Sequence, residues 1–391
     1  MKNNRTFLDK LLDGAEVKWM PLDEVANIAN NARKPVKSSL RISGNIPYYG
    51  ANNIQDYVEG YTHDGEFVLI AEDGSASLEN YSIQWVVGKF WANNHVHVVN
   101  GKEKLNNRFL YHYLTNMNFI PFLAGKERAK LTKAKLQQIP IPIPPLPVQT
   151  EIVKILDALT ALTSELTSEL ILRRKQYEYY REKLLSEEEL GKVGFEWKTL
   201  EELVEKTQNI RWKNNTKTYR YIDLTSVDRE NNNITGTIEI NALNAPSRAQ
   251  KIVKENDVIF ATTRPTQQRM ASITKEFSGE IASTGYCVLR ANTDIVLPKW
   301  LFYFLSTINF KNYVEENQSG SAYPAISDSK VKEFRIPVPD VTIQQSIIEK
   351  LDKFYSLTNS LLHGLPKEIN NRKKQYLYYQ KELLNFKGED L

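Results

Sequence analysis

A long internal repeat constrains this 391-residue sequence more than any other feature. Ile141–Asp157 recurs as Ile336–Asp352, with an Ile-Pro-x-Pro motif, a glutamine, apolar positions and an aspartate matched at a constant offset of 195 residues (142 to 337). Arg173–Tyr180 recurs as Arg372–Tyr379 at an offset of 199 (177 to 376), so the second copy carries four extra residues. Because polar positions match as well as apolar ones, two unrelated amphipathic helices do not explain the pattern, and the chain contains one structural unit twice.

Each copy predicts an extended, proline-rich segment followed by a long helix. Proline lacks a donor N–H and holds the preceding residue extended, so the proline-rich segment is not helical. The stretch between Pro147 and Gly191 contains no proline or glycine and can form a continuous helix. Apolar residues there alternate four and three apart, the spacing of a coiled-coil seam. They are Val148, Ile152, Ile155, Leu159, Leu162 and Leu166. A helix of roughly forty residues is about 60 Å long and needs a partner to bury this stripe.

The second helix of the repeat is the expected partner, in an antiparallel pair. The residues predicted to pack in this helix pair are Ile152, Leu159 and Leu166 on the first helix and Ile347, Leu351 and Leu361 on the second. Gly364 and Pro366 lie where the four extra residues fall, and we expect them to break or kink the second helix.

A tryptophan segment opens each copy, at Trp19 and at Trp197, so the repeat includes a globular domain as well as a helix. The predicted boundaries are an N-terminal helical segment (1–18), a first globular domain (19–146), a central long helix (147–190), a second globular domain (197–341) and a distal helix (342–387). Strand-like stretches are followed in each domain by an aromatic-rich helix, at 108–123 and at 298–314. The fold class is therefore α/β, of the α+β kind.

Composition limits the class of protein. The net charge of +4 is mildly basic, which permits nucleic acid as a partner without requiring it. The lone Cys287 excludes an internal disulfide framework and a multi-cysteine zinc site, and suits a reducing cytoplasm. No apolar run approaches the length of a membrane span, and the N-terminus does not resemble a secretory signal.

No catalytic constellation is found. His95 and His97 would share one face of a strand, but a metal site needs a further ligand, and ordinary packing is the favoured interpretation. Glu16 and Lys18, with Asp13 upstream, faintly resemble a nuclease pattern, although they lie in the repeated opening segment and fit a structural role better. Phosphate-binding and dinucleotide-binding glycine motifs are absent, as are the methyltransferase and serine-hydrolase motifs.

Basic and amide side chains favour DNA as the ligand. Arginine and glutamine suit guanine and adenine edges, whereas lysine mostly contacts phosphate. The first-domain candidates are Asn93, Asn94, Lys126, Arg128, Lys130, Lys133 and Lys135. The second-domain candidates are Arg211, Lys213, Arg264, Gln267, Gln268, Arg269, Ser321 and Tyr323. A charge cluster is usually a solvated face, but two such clusters in equivalent halves strengthen the hypothesis.

Together these paired motifs resemble the specificity subunit of type I restriction-modification systems. The resemblance rests on Trp-x-x-Leu at Trp19–Leu22 and Trp197–Leu200, on the two Ile-Pro-x-Pro motifs and on the glutamines that open both helices. The endings Lys175–Tyr180 and Lys374–Tyr379, and the tetrads Leu162–Glu165 and Leu166–Glu169, are most similar to the type IC group.

The resemblance implies two target-recognition domains, each reading one half of a bipartite, asymmetric double-stranded DNA site. It implies a non-catalytic, cytoplasmic subunit that binds no cofactor and no membrane. Two modification subunits would supply S-adenosylmethionine, and restriction subunits would use ATP and magnesium. Two alternatives remain open at this point: a coiled-coil scaffold that does not bind DNA, and a metal-dependent nuclease using Glu16 and Lys18.

Overall fold

A computed structural model describes residues 5–125, 129–229, 231–359 and 364–387. The chain forms two compact units, one of Met1–Glu165 with Asn371–Leu391 and the other of Leu166–Asn370. Each combines antiparallel-rich sheets with helices, so the predicted α+β class is confirmed. Each of the two long helical segments of the repeat is divided between the units. The central helix belongs to the first unit as far as Glu165, and the distal helical segment belongs to it from Asn371 onward.

The first unit is built around one six-stranded sheet. Its elements are α1 (Phe7–Leu12), β1 (Lys18–Pro21), α2 (Leu22–Val25), β2 (Ala26–Ile28), β3 (Ser43–Tyr49), β4 (Ile54–Val58), β5 (His63–Ala71), β6 (Ile83–Ala92), β7 (Val96–Gly101), α3 (Asn107–Asn116), α4 (Lys133–Gln137), β8 (Pro140–Ile143) and the start of α5 (Leu146–Leu184). The strand order is β2-β7-β5-β6-β3-β4, and β1 pairs with β8 separately. Leucine, valine and phenylalanine side chains from β5, β7, α3 and the start of α5 form its main core.

The second unit has a four-stranded and a five-stranded sheet. Its elements are the rest of α5, α6 (Glu187–Gly191), β9 (Glu196–Thr199), α7 (Leu200–Leu203), β10 (Val204–Glu205), β11 (Gln208–Asn209), β12 (Tyr219–Ile222), β13 (Ile238–Ile240), β14 (Ala249–Ile252), β15 (Val258–Ala261), β16 (Met270–Ser272), β17 (Ile281–Ser283), β18 (Tyr286–Ala291), α8 (Pro298–Leu305), α9 (Ile308–Asn317), α10 (Asp328–Lys332), β19 (Arg335–Val338), α11 (Val341–Asn359) and the start of α12 (Gly364–Leu384). The strand orders are β10-β18-β15-β16 and β11-β14-β17-β12-β13, and β9 pairs with β19.

Two predicted helices end earlier than expected. The helix predicted over 108–123 ends at Asn116, because Met117 is extended and the Asn118 side chain accepts a hydrogen bond from the Ile120 amide to start a separate turn. The helix predicted over 298–314 is two helices, since the Thr307 hydroxyl accepts from the Phe310 amide and caps α9. In both cases a short polar side chain competes with the helical hydrogen bonds.

The repeated motifs pair with each other inside each unit. Trp19 in β1 lies opposite Pro142 in β8, and Trp197 in β9 lies opposite Pro337 in β19. Proline cannot donate to a ladder, which suits these short two-stranded sheets. The strand that opens each globular domain thus pairs with the strand that ends it.

The matched polar residues form the same joint in both units. Gln149 is completely buried, accepts from the Asn106 amide at 2.9 Å and donates to the carbonyls of Lys104 and Pro144. Gln344 is equally buried, accepts from the Leu297 amide at 2.9 Å and donates to the carbonyls of Ile295 and Pro339. One glutamine therefore fixes each long helix to the loop that precedes the domain's main helix.

A carboxylate further along each helix completes the joint with different partners. Asp157 accepts from Arg108 at 2.9 Å and lies 2.7 Å from the His112 Nε2 atom. Asp352 accepts from Lys299 and from the Tyr303 hydroxyl, both at 2.6 Å. Burial alone would raise the pKa of Asp157, but the hydrogen bonds from Arg108 and His112 outweigh it and lower that pKa. The helix carboxylate is retained while its partners differ.

The residues predicted for the helix pair are divided between cores. Ile152 is buried in the core of the first unit, and Ile347 and Leu351 are buried in that of the second. Leu159 and Leu166 are half-buried, and Leu361 lies outside the described residues. Each buried residue packs against its own globular domain, so the antiparallel packing of these residues on one another stays a prediction. α11 is described as far as Asn359, and α12 begins at Gly364 with a φ of 76°. The predicted break falls on residues 360–363, which lie outside the described residues, and Pro366 lies in the first turn of α12.

Candidate nucleic-acid interface

In the first unit the predicted lysines fall into two groups. Lys133 and Lys135 are exposed on α4, which the Thr132 hydroxyl caps, and neither forms an ion pair with another described residue. Lys130 instead forms an ion pair with Glu72 at 2.9 Å, and this hydrogen bond raises its pKa. Lys126 and Arg128 lie outside the described residues. Among the described residues of this patch, the unpaired charges therefore lie on α4, while Lys130 helps to hold its own loop against the sheet.

Glu72 is the centre of that attachment. Arg33 contacts it at 2.6 Å and also donates to the Val96 carbonyl, while His97 is completely buried nearby. His97 lies 2.9 Å from Asn30 and 2.7 Å from the Leu131 carbonyl, and burial lowers its pKa. These contacts tie the segment after residue 128 to β7.

The histidines and asparagines of the β6–β7 turn differ from expectation. His95 precedes β7, is partly exposed and lies 2.6 Å from Asp73. The prediction that it shares one face of a strand with His97, which is buried, is therefore wrong. Asn93 is 3% exposed, and its side chain accepts from the His95 amide. Asn93 therefore stabilises the turn and is not available to a base, whereas Asn94 is exposed. Among the described residues, no cluster of three metal-ligating side chains occurs.

In the second unit the structure brings two predicted segments together. The short 3₁₀ turn Pro265–Gln267 is flanked by Arg264 and Gln268, both in left-handed geometry with φ of 49° and 48°. The Arg264 amide donates to the Pro324 carbonyl at 2.7 Å, and its guanidinium lies 5.3 Å from the centre of the Tyr323 ring. Left-handed geometry at a non-glycine residue costs free energy, and residues strained in this way are common in functional loops. Arg264, Gln267 and Tyr323 are all exposed at this junction.

The other second-unit candidates lie elsewhere or are less accessible. Arg211 and Lys213 are exposed on either side of Trp212, whose indole donates to the Ala249 carbonyl and anchors the segment. Ser321 is exposed in the loop before Tyr323, and Arg269 is half-buried. No arrangement around Asp13, Glu16 and Lys18 supports a nuclease: Asp13 ends α1 and pairs weakly with Arg5 at 3.7 Å, and no metal-ligating cluster forms there among the described residues.

Sequence reasoning missed a basic and apolar loop in the first unit. Lys34, Lys37 and Arg41 occur there with Leu40 and Ile42, which are 70% and 67% exposed. The loop is fixed because the Trp91 indole donates to the Lys34 carbonyl and the Tyr48 hydroxyl accepts from the Val36 amide. The available signal was a run of cations with no carboxylate between residues 33 and 42.

Sequence reasoning also missed a cavity in the second unit. It has a volume of about 400 Å³ and lies beside Gln267 and Gln268. Arg174 of α5 and Arg229 of the β12–β13 loop line it as well. Arg174 belongs to the repeated basic segment, which the sequence assigned to the helix without a further role.

Comparison with known proteins decides the family. A family model described as the type I restriction modification DNA specificity domain matches residues 15–173 and again residues 192–371. The chain belongs to this family. Specificity subunits are the non-catalytic, DNA-recognising components of type I restriction-modification enzymes, and that is the role of this chain.

Two curated relatives and one solved structure extend this result. A putative type I restriction enzyme specificity subunit of Haemophilus influenzae is 56% identical, with 99% of this chain and all of the relative covered. The EcoR124I/EcoR124II specificity subunit of Escherichia coli is 30% identical, with 97% of each chain covered. The crystal structure of the S subunit from M. genitalium has a TM-score of 0.62 over 99% of each chain at 13% identity, and so shares the fold. None of the described helices combines the length and apolarity needed to cross a bilayer.

Proposed function

We propose that this specificity subunit reads a bipartite, asymmetric DNA sequence, with each globular domain recognising one half-site. The observation that carries the proposal is the duplication: both units have the same tryptophan–proline closure and the same glutamine–aspartate joint, yet they present different loops. Exposed lysines on α4 suit phosphate contact in one half, and Arg264 with Gln267 suits base edges in the other.

The assembly follows from the family and is proposed in detail. Type I specificity subunits assemble with the other subunits of their restriction-modification system, and we infer two modification subunits for this chain, one for each copy of the repeat. S-adenosylmethionine, ATP and magnesium would be bound by partner subunits and not by this one. The paired Lys-Gln-Tyr endings and the Leu-Thr-Ser-Glu tetrads support the type IC group. A DNA substrate and a single buried cysteine support a cytoplasmic location.

A gel-shift assay with and without the modification subunits tests the proposal. The complex should bind DNA carrying its site more tightly than scrambled DNA, and the purified chain with Mg²⁺ should leave DNA uncut. Cleavage that is abolished in Glu16→Gln would favour the nuclease. Equal, weak binding of both DNAs by the complex would favour the scaffold.

A further inference from the structure

The cavity in the second unit is lined by more cationic than anionic side chains. It is lined by the second half of α5, the β12–β13 loop, the turn Gln267–Met270 and the end of α11. Arg174, Arg181 and Arg229 line it, against a single carboxylate from Glu178. Its volume of about 400 Å³ leaves room for a group much larger than one water molecule.

Within the described part of the chain, two of the three guanidinium groups form no ion pair. Arg181 pairs with Glu182 at 2.7 Å, but neither Arg174 nor Arg229 forms an ion pair with any described residue. The Nε atom of Arg174 is buried and lacks a hydrogen-bond partner within the described part of the chain. A buried, unpaired donor on a charged group is costly, and an anion bound in the cavity would offset that cost.

Hydrogen bonds and ring contacts within the second unit hold the walls of the cavity. The Tyr355 hydroxyl donates to the Asn231 carbonyl at 3.0 Å, which holds the loop of Arg229 against α11. The Tyr177 and Tyr355 rings contact each other with centres 6.0 Å apart, and Tyr177 is buried. Gln268 stays in left-handed geometry at the opposite wall. Guanidinium and amide donors in fixed positions match the oxygens of a phosphodiester.

We propose that this cavity binds one phosphodiester of the DNA backbone, with Arg174 and Arg229 as its charged ligands. The proposal rests on the proposed DNA-recognition function and deepens it. The bound phosphate would connect the long helix to the Gln267–Gln268 turn, and so would fix the register in which the turn meets the bases. The same chemistry could also accept a free phosphate or a nucleotide, and the experiment separates these sources.

The helix offers a matched control. Arg173 precedes Arg174 and carries the same charge, but it pairs with Glu169 at 2.7 Å and with Gln176 at 2.8 Å. Arg174→Gln, Arg229→Gln and Arg173→Gln are assembled with the modification subunits, and DNA binding is measured against salt. Arg174→Gln and Arg229→Gln should each weaken binding to specific and non-specific DNA about tenfold and reduce the log–log salt slope by up to about 0.9, the contribution of one phosphate. Arg173→Gln should match the unmodified protein.

Neutral methylphosphonates placed singly along the DNA locate the contact. One position should weaken binding by the unmodified complex and weaken binding by Arg174→Gln less, because the variant has already lost one of the two guanidinium contacts to that phosphate. Arg174→Gln that binds every DNA like Arg173→Gln would overturn the proposal, as would methylphosphonate effects that add fully to it. Thermal stabilisation by inorganic phosphate or ATP without any change in DNA binding would overturn it in favour of a free anion. If the unmodified complex shows no site preference, the proposed function has failed instead.

Should Arg174→Gln fail to fold, Arg174→Lys provides the second variant. It keeps the charge but removes the planar fork of donors. It should retain the salt slope and still bind DNA more weakly, and unchanged affinity with the methylphosphonate effect intact would also contradict a guanidinium contact.

Discussion

At the residue scale, corresponding positions in the two units are occupied by side chains that differ in how they titrate. His112 and Tyr303 both contact the helix aspartate of their own unit, at 2.7 Å and 2.6 Å. Burial lowers the pKa of His112, and the contact with Asp157 only partly offsets that effect. A tyrosine at the same place makes the contact without titrating near neutral pH. The first joint is therefore sensitive to acid in a way that the second is not.

His112→Tyr tests this difference. A histidine whose pKa is lowered by folding takes up its proton more readily when unfolded, so its contribution to stability declines as pH falls below about 6.5. The variant should flatten the slope of unfolding free energy against pH between about 6.5 and 5, by up to about 1.4 kcal/mol per pH unit. Urea unfolding at a series of pH values measures it. The reciprocal Tyr303→His should steepen the slope, and identical slopes in all three proteins would contradict the account.

Replacing Lys133 and Lys135 with alanine tests the first-unit patch. Both are exposed and unpaired among the described residues, so binding to all DNA sequences should weaken, and the log–log salt slope should fall by roughly 0.9 for each phosphate that is no longer neutralised. Lys130→Ala is the control, because Lys130 already pairs with Glu72 and should change the slope less. A double variant that keeps the original slope would show that α4 is ordinary surface.

At the element scale, buried glutamines attach the long helices to the domains. Gln344 makes three hydrogen bonds to backbone groups, whereas its neighbour Gln345 is exposed and its side chain donates to Glu349. Sequence reasoning recognised Gln149 and Gln344 as a matched pair. It could not identify their partners, because most of those are backbone groups of a loop more than forty residues away.

Gln344→Met should destabilise the second unit strongly. Methionine fills a similar volume but leaves buried backbone groups unpaired, at a cost of about 1–3 kcal/mol for each. Gln345→Met on the same helix should change the unfolding free energy by less than about 0.5 kcal/mol. Denaturant unfolding compares the two variants. Equal effects would mean that the loop does not depend on this glutamine.

Other elements mark where sequence reasoning stops. The repeat, the tryptophan openings, the proline motifs and the start of α12 at Gly364 all followed from residue pattern, since proline and glycine act locally. The ends of α3 and α8 did not, because the hydrogen bonds that the Asn118 and Thr307 side chains accept depend on side-chain geometry. The pairing of Lys130 with Glu72 joins residues 58 positions apart (72 to 130), and charge clustering alone cannot reveal it.

At the scale of the whole molecule, α5 is a single helix whose residues belong first to one unit and then, after Glu165, to the other. Duplicating Leu166-Thr167-Ser168-Glu169 adds four residues, or about 6 Å and about 400° of helix, so the apolar seam is displaced by only about 40°. The helix should tolerate this insertion. The DNA spacer should lengthen by one or two base pairs with both half-sites unchanged, as mapped by methylated adenines in cells. Unchanged spacing would mean that α5 does not set the distance.

The central claim is that each unit reads its own half of one DNA site. Its most direct test is to sequence methylated adenines in cells that carry this chain with its modification subunits, and then with residues 197–341 replaced by those of a relative. The account predicts two half-sites at a fixed spacing with one methylated adenine in each, and a change in one half-site only after the replacement. A single uninterrupted site, or a replacement that changes both halves, would contradict it.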